Sequence, residues 1–73
     1  MLIDNIVEID SPVYADTEYQ SGNELIVFLR NSRDYLIVHD VSIETFAKLY
    51  KNPTHAAMKT ILATHRVFIR RVF

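Results

Sequence analysis

The chain has 73 residues, of which 49% are hydrophobic, and a formal net charge of −1. A chain of this length forms one domain and buries only about 60% of its unfolded surface, so we expect no deep, enclosed active site. It contains no cysteine, which excludes disulfides, thiolate chemistry and cysteine-based zinc sites. These limits favour a small interaction domain over an enzyme.

The near-neutral net charge hides a strong polarity along the chain. All nine acidic residues lie in residues 1–44, together with the bases Arg30 and Arg33, whereas residues 45–73 carry the remaining bases and no acid. Either the two parts neutralise each other on the surface, or they present two faces to different partners.

The first ten residues are apolar but have no clear period. Residues 1–10 therefore form either a loose strand or an arm that orders only on docking. Asp4, Glu8 and Asp10 interrupt the apolar residues and no basic segment precedes them, so we expect neither a signal peptide nor a membrane span. We expect a cytoplasmic protein with no membrane contact, in which residues 11–73 form the single domain.

Three strands are predicted next, over residues 13–19, 25–29 and 34–38. The first alternates with period two, and the second is a continuous apolar run. Gly22 supplies the positive φ that a tight hairpin needs between them, and a polar cluster at residues 31–34 predicts the second turn. Short connections between these strands predict an antiparallel meander.

The period changes after the third strand. Apolar residues recur at helical spacing over residues 43–50, with Ser42 as the N-cap, and Asn52 before Pro53 ends this first helix. Thr54 caps a second helix. Together these elements predict an α+β domain: a three-stranded antiparallel β-meander with two C-terminal helices on one face.

The last residues are either a continuation of the second helix or an extended segment. Val67, Phe68 and Ile69 are β-branched or aromatic, which favours a helix to residue 65 or 66 followed by an extended segment. We expect four apolar side chains of this region to close the core, namely Ile61, Leu62, Val67 and Ile69.

An apolar strand, a turn, a tyrosine-containing strand and a helix led by valine follow one another in residues 11–67. The positions that carry this order are Leu25, Val27, Phe28, Tyr35, Val41, Phe46 and Leu49. The order resembles the KTSC domain, a small module at the C-terminus of some lysyl-tRNA synthetases that also occurs as free-standing bacterial and phage proteins. Ser42 stands where that family has proline, and residues 54–56 replace its serine-x-glycine helix start. The resemblance implies RNA binding.

In length, lack of cysteine and acidic first half, the chain is also similar to the small regulators that lytic phages, including a phage of Xanthomonas, make against host transcription. Such regulators bind host RNA polymerase, inhibit initiation and permit read-through at terminators. This resemblance implies a monomeric, non-enzymatic transcription regulator with bacterial RNA polymerase as its partner.

Two sets of side chains are candidate binding residues. For a protein partner, tyrosines supply contact area and acids steer association, which selects Asp10, Tyr14, Asp16, Glu18 and Tyr19. For nucleic acid, the alternative partner, cations bind phosphates, which selects Lys59, Arg66, Arg70 and Arg71. The acidic first half opposes nucleic-acid binding.

The three histidines are the remaining candidates for chemistry. His39, His55 and His65 lack the spacing and the nearby carboxylate of a metal or general-base site. We therefore predict no catalytic residue, no cofactor and no metal.

Overall fold

A computed structural model describes residues 4–72. The elements in chain order are β1 (Ile6–Glu8), β2 (Tyr14–Gln20), β3 (Glu24–Leu29), β4 (Tyr35–Val38), α1 (Ile43–Lys51), α2 (His55–Thr64) and β5 (Val67–Arg70). The α+β class is confirmed. Neither described helix is long and apolar enough to cross a membrane.

The predicted three-stranded meander is wrong, because the described residues form one antiparallel sheet of five strands in the order β1-β2-β3-β4-β5. The two strands that the predicted meander does not include lie at the edges of the sheet, where Val7 is opposite Thr17 and Val67 is opposite Val38. Strands of three or four residues are too short to show a period, so their pairing partners define them.

The first ten residues supply one of these edge strands. Residues 6–8 form β1, and the next side chain, Ile9, is fully buried. The Arg30 guanidinium donates hydrogen bonds to the backbone oxygens of Ile9 (2.9 Å) and Ser11 (2.6 Å), which holds this segment beside the sheet. Residues 1–3 of the predicted arm lie outside the described residues.

Left-handed backbone conformations mark the connections of the sheet. Gly22 (φ 85°) and Asn23 (φ 61°) lie between β2 and β3, Asn31 (φ 59°) lies between β3 and β4, and Asp40 (φ 58°) precedes α1. Glycine, asparagine and aspartate adopt this conformation more readily than other residues. The turn predicted at Gly22 is present.

Both helices begin at the predicted caps. The Ser42 hydroxyl accepts a hydrogen bond from the Thr45 amide, and the Thr54 hydroxyl accepts one from the Ala57 amide, each at 3.1 Å. α2 ends at Thr64, because His65 is extended, and the chain then enters β5. Residues 67–70 are thus extended, as the β-branched and aromatic residues at 67–69 predict.

The helices cover one face of the sheet, and the core lies between these two layers. Its buried side chains are Val7, Ile9, Leu25, Val27, Val38, Val41, Phe46, Leu49, Met58 and Ile61. Leu62 and Val67 pack against this core as predicted, but Ile69 is 48% exposed. The prediction for Ile69 is wrong, because the residue lies on the outermost strand, where only Leu36 is opposite it.

Candidate functional site

The face of the sheet opposite the helices carries an unusual number of apolar side chains. Successive residues of a strand point to opposite faces, so the residues that alternate with the core side chains lie on this helix-free face. One row of directly opposed residues crosses all five strands; its members are Ile6, Glu18, Ile26, Ile37 and Phe68. We call this side of the sheet the open face.

The apolar side chains of the open face are accessible to a partner. Ile6 and Phe68, at the two ends of the row, are each 51% exposed, and Phe28 is 39% exposed. At the centre, Ile26 is only 7% exposed because its neighbours on the same face cover it. A shallow depression of about 420 Å³ lies here, lined by Gln20, Glu24, Ile26, Phe28, Tyr35 and Ile37.

Charged residues border the apolar row with opposite signs at its two ends. Glu8 on β1 lies directly opposite Asp16 on β2, and Glu18 belongs to the row itself. At the other edge Arg70 lies on β5, and Arg66 precedes that strand; both are exposed. The charge polarity of the chain therefore becomes a polarity across the open face, acidic at β1–β2 and basic at β5.

A polar and aromatic cluster joins β3 to the basic edge. The Glu24 carboxylate lies 3.1 Å from Nδ1 of His39. The His39 ring meets Phe68 edge to face, with ring centroids 5.1 Å apart and an angle of 86° between the planes. This cluster holds Phe68 in place at its end of the row.

Tyr14 does not lie on the open face with Asp16 and Glu18, although simple alternation places it there. The register of β2 against β3 shifts between Tyr14 and Thr17, so Tyr14 turns toward the helices. Its ring stacks on His55 of α2, with centroids 5.3 Å apart. Tyr14 therefore connects the sheet to α2 instead of presenting a free aromatic surface.

His55 has a second partner, Ser11, whose hydroxyl lies 2.6 Å from Nδ1 of the ring. The same hydroxyl accepts hydrogen bonds from the amides of Val13 and Tyr14, each at 3.0 Å. Because two acceptor positions of the hydroxyl are then filled, its own proton is directed to Nδ1 of the ring. The histidine thus serves a structural role.

Tyr19 also faces the helices. Its ring stacks on Phe46 of α1 with centroids 4.7 Å apart and planes 8° from parallel. Its hydroxyl donates to the Val41 carbonyl oxygen at 2.6 Å and lies 3.1 Å from Oδ1 of Asn23. Burial, and secondarily the negative charge of Glu44, raises the pKa of the Tyr19 phenol above its ordinary value of 10.0.

The structure therefore divides the five residues selected for a protein partner. Asp16 and Glu18 lie together on the open face, whereas Tyr14 and Tyr19 pack on the other side of the sheet. Asp10 is exposed beyond β1, where its backbone forms a bridge with Thr54.

The four residues selected for nucleic acid are divided as well. Arg66 and Arg70 flank Phe68 at the edge of the open face, because alternate residues of an extended segment share a side. Lys59 is exposed on α2, in the helical layer. Arg71 is exposed just after β5, and alternation directs it away from the face that carries Arg70.

A second concavity lies between the two helices, with a volume of about 550 Å³. Leu49, Ala57 and Ile61 contribute apolar lining, and Lys48 and Lys51 contribute the charged groups. No carboxylate lines it, and residues 4–72 contain no cluster of three or more histidine, aspartate or glutamate residues that would hold a metal ion.

Sequence reasoning did not identify the open face as a site, although a signal was present. The continuous run Leu25–Leu29 was interpreted only as a strand, yet a sheet covered on one side needs only alternate apolar residues. Ile26 and Phe28 are the additional members, and both lie on the open face. The pattern that indicates this surface is therefore an uninterrupted apolar strand, β3, next to a strand in which polar and apolar residues alternate, β2.

Comparisons of the chain with family models, curated proteins and solved structures gave no match. The resemblances to the KTSC domain and to phage transcription regulators stay predictions.

Proposed function

We propose that the protein is a non-enzymatic binding module that docks on another protein through the open face. The observation that carries this proposal is the row of directly opposed side chains from Ile6 to Phe68, which places exposed apolar surface on the side of the sheet that the helices leave uncovered. Apolar surface of this kind, with charged residues around it, is typical of protein interfaces.

The chemistry of the face favours protein over nucleic acid as the partner. The isoleucines of the row, Ile6, Ile26 and Ile37, offer aliphatic packing surface to a protein. Glu18 and Glu24 lie on the same face, where their negative charge repels phosphate. A protein with an apolar patch and charged residues of complementary sign avoids this repulsion.

The target that we propose is bacterial RNA polymerase, and the action is that of a phage-type regulator. Support for this target is the similarity to phage regulators in length, cysteine content and acidic first half. A domain of this size inhibits initiation by occupying a surface, for instance one that a promoter-recognition factor needs, and a regulator that stays bound during elongation permits antitermination.

The test uses substitutions of exposed side chains on the open face, because Tyr14 and Tyr19 contribute to folding. Phe28→Ser combined with Phe68→Ser removes two exposed rings from this face. Tyr50→Ser is the matched control, since Tyr50 is 40% exposed on α1. The three proteins are titrated against purified polymerase after nuclease treatment, and promoter-dependent transcription is measured in parallel.

We expect the wild type and the Tyr50→Ser control to bind polymerase and inhibit initiation. Loss of two exposed aromatic anchors should weaken binding about 1,000-fold, since such anchors commonly contribute about 2 kcal/mol or more each. If the wild type does not bind polymerase, the proposed target is wrong. If the double variant binds as the wild type does, the open face is not the docking surface.

RNA binding is the second candidate, and three rings on the open face favour it. Phe28 and Tyr35 have ring centroids 5.8 Å apart, Arg70 lies opposite Tyr35, and Phe68 lies between Arg66 and Arg70. Aromatic rings beside arginines form stacking platforms for single strands.

Fluorescence anisotropy with labelled oligouridine tests RNA binding. The double variant Arg66→Ser with Arg70→Ser should reduce both the affinity for the oligonucleotide and the salt dependence of that affinity, whereas Lys59→Ser should leave both nearly unchanged.

A further inference from the structure

We propose that the outer edge of β5 binds an extended acidic segment of another protein, which adds to the sheet as a sixth strand. This inference goes beyond the open face, because it concerns the backbone groups at the edge of the sheet and states the conformation and the charge of the bound segment.

The phase of the hydrogen bonds determines which backbone groups of β5 are available. The His39 amide donates to the Arg66 carbonyl oxygen at 2.9 Å, and β5 pairs with β4 in antiparallel register. Hydrogen-bonded pairs alternate along such a ladder, so the backbone groups of Phe68 and Arg70 also point toward β4. Those of Val67 and Ile69 point away from it. Within residues 4–72, β5 has a neighbouring strand on one side only.

The side chains of β5 provide apolar surface on both faces of this edge. Ile69 is 48% exposed on the face of the helices, and Phe68 is 51% exposed on the open face. An added strand would place its side chains next to both of them, and cross-strand pairs of this kind stabilise a sheet. A row of unpaired amide and carbonyl groups with apolar neighbours is the usual template for strand addition.

The charge of the edge determines which segment it prefers. Arg66, Arg70 and Arg71 are exposed along β5 and at its ends, and β5 itself contains no acid. Asp34 lies beyond the end of the strand, where its carboxylate accepts a hydrogen bond from the Val72 amide at 3.2 Å. Alternating apolar and acidic residues in the incoming segment would match both the exposed side chains and the arginines.

A second copy of this chain fits the edge less well. Antiparallel pairing of β5 with itself about Phe68 brings Arg66 opposite Arg70 of the other copy, and like charges in that position are destabilising. The acidic strand β1 has only three residues. Its extension is already used, because the Asp10 amide donates to the Pro53 carbonyl oxygen and the Asp10 carbonyl oxygen accepts from the His55 amide.

Two synthetic peptides test the proposal, one alternating valine with glutamate and the other valine with lysine. Binding to the full chain is followed by the amide resonances of the protein in NMR titrations. We expect the glutamate peptide to shift the amides of Val67 and Ile69 and to slow their hydrogen exchange, since new hydrogen bonds form there. The affinity for the lysine peptide should be lower by a factor of about ten or more, because its charges are repelled by three arginines.

Ile69→Pro tests the backbone contact directly. It removes an outward-pointing amide, and proline is tolerated on edge strands, whereas Ile69→Val retains the amide and serves as the matched control. Affinity for the glutamate peptide should fall about tenfold in the proline variant and stay within about twofold in the valine variant. The double variant Arg66→Glu with Arg71→Glu should instead prefer the lysine peptide. This second test contains no introduced proline, so its outcome does not depend on how the strand accommodates one.

The outcomes separate this proposal from the proposed function. Phe28→Ser should leave the glutamate peptide's affinity unchanged, because Phe28 lies on β3, away from the edge. The proposal is overturned if the glutamate peptide does not bind, if Val67 and Ile69 are unaffected by it, if the charge reversal leaves the preference unchanged, or if the protein pairs with itself at this edge.

Discussion

At the scale of single residues, Tyr19 shows how one side chain joins the two layers. Its ring stacks on Phe46, and its hydroxyl donates to the Val41 carbonyl oxygen at the entry to α1. The pKa of the phenol is raised, so the folded state favours the neutral form more than the unfolded chain does. The stabilisation that follows is complete below pH 10.0, the ordinary pKa, and is lost as pH rises through the raised pKa of the folded state.

Tyr19→Phe should therefore have two effects on the free energy of unfolding, measured by urea titration. At neutral pH this free energy should fall by about 0.5–1.5 kcal/mol, because a hydrogen bond is lost. As the pH rises above 10.0, the free energy of unfolding should decrease less steeply in the variant than in the wild type. The reason is that the variant lacks the phenol with the raised pKa. Tyr50→Phe changes an exposed ring, and its free energy of unfolding should depend on pH as that of the wild type does. The same dependence above pH 10.0 in Tyr19→Phe and in the wild type would contradict this account.

The roles of Tyr14 and Tyr19 could not be predicted from their neighbours in the sequence. Both residues lie among acids, and exposed tyrosines beside acids were expected to bind a partner. The register shift after Tyr14 and the position of Phe46 over Tyr19 arise from tertiary packing. Alternation places Tyr19 on the face of the buried Thr17, but it shows neither the register shift nor the stacking on Phe46.

At the scale of elements, the β1–β2 pair carries an unfavourable contact. Glu8 and Asp16 are directly opposite and both are exposed, so their charges repel across the strands. Asp16→Lys should replace this repulsion by attraction and increase the free energy of unfolding by about 0.2–1 kcal/mol at low salt, less at high salt. Chemical unfolding at two ionic strengths measures the change.

Glu18→Lys is the control for this pair, because Ile6 lies directly opposite Glu18. Its gain should be smaller than that of Asp16→Lys. Equal gains from the two substitutions, or a gain that does not depend on salt, would contradict the register of β1 against β2.

Helices and central strands were predictable because their signals are local. Ser42 and Thr54 mark the helix starts by hydroxyls that accept backbone hydrogen bonds, and Gly22 marks the first turn. The edge strands have weaker signals. The residues of β5 favour an extended segment, but its pairing with β4, like the pairing of β1 with β2, has no local signal. A pairing between segments distant in the chain is not visible in either segment alone.

At the scale of the whole molecule, the order of the strands predicts a gradient of local stability. β3 is the central strand, and the side chains of Leu25 and Val27 are fully buried. The amides of β3 should therefore exchange with solvent most slowly, because they open only when much of the sheet unfolds. Hydrogen exchange followed by NMR measures this order.

The same experiment should show alternation along β5. The Phe68 and Arg70 amides, which point toward β4, should exchange more slowly than those of Val67 and Ile69. Uniform protection of all four amides in the isolated protein would show that the outer edge is covered and would contradict the free edge.

The sequence-level charge polarity was the part of the site that could be predicted, and its meaning depends on the fold. Acids early in the chain and bases late in it occupy opposite edges of one face only because β1 and β5 are the outer strands. The apolar row between them depends on four strand registers, which composition does not specify.

The placement of both helices between the neighbouring strands β4 and β5 has a consequence for the newly made chain. Synthesis proceeds from the N-terminus, so β4 leaves the ribosome well before its partner exists. Until residues 67–70 have emerged, β4 is itself an outer strand, and its apolar residues Leu36 and Ile37 border an unpaired backbone. The nascent chain therefore exposes an unpaired strand edge that the folded protein covers, and pairing of residues 67–70 with β4 ends this exposure.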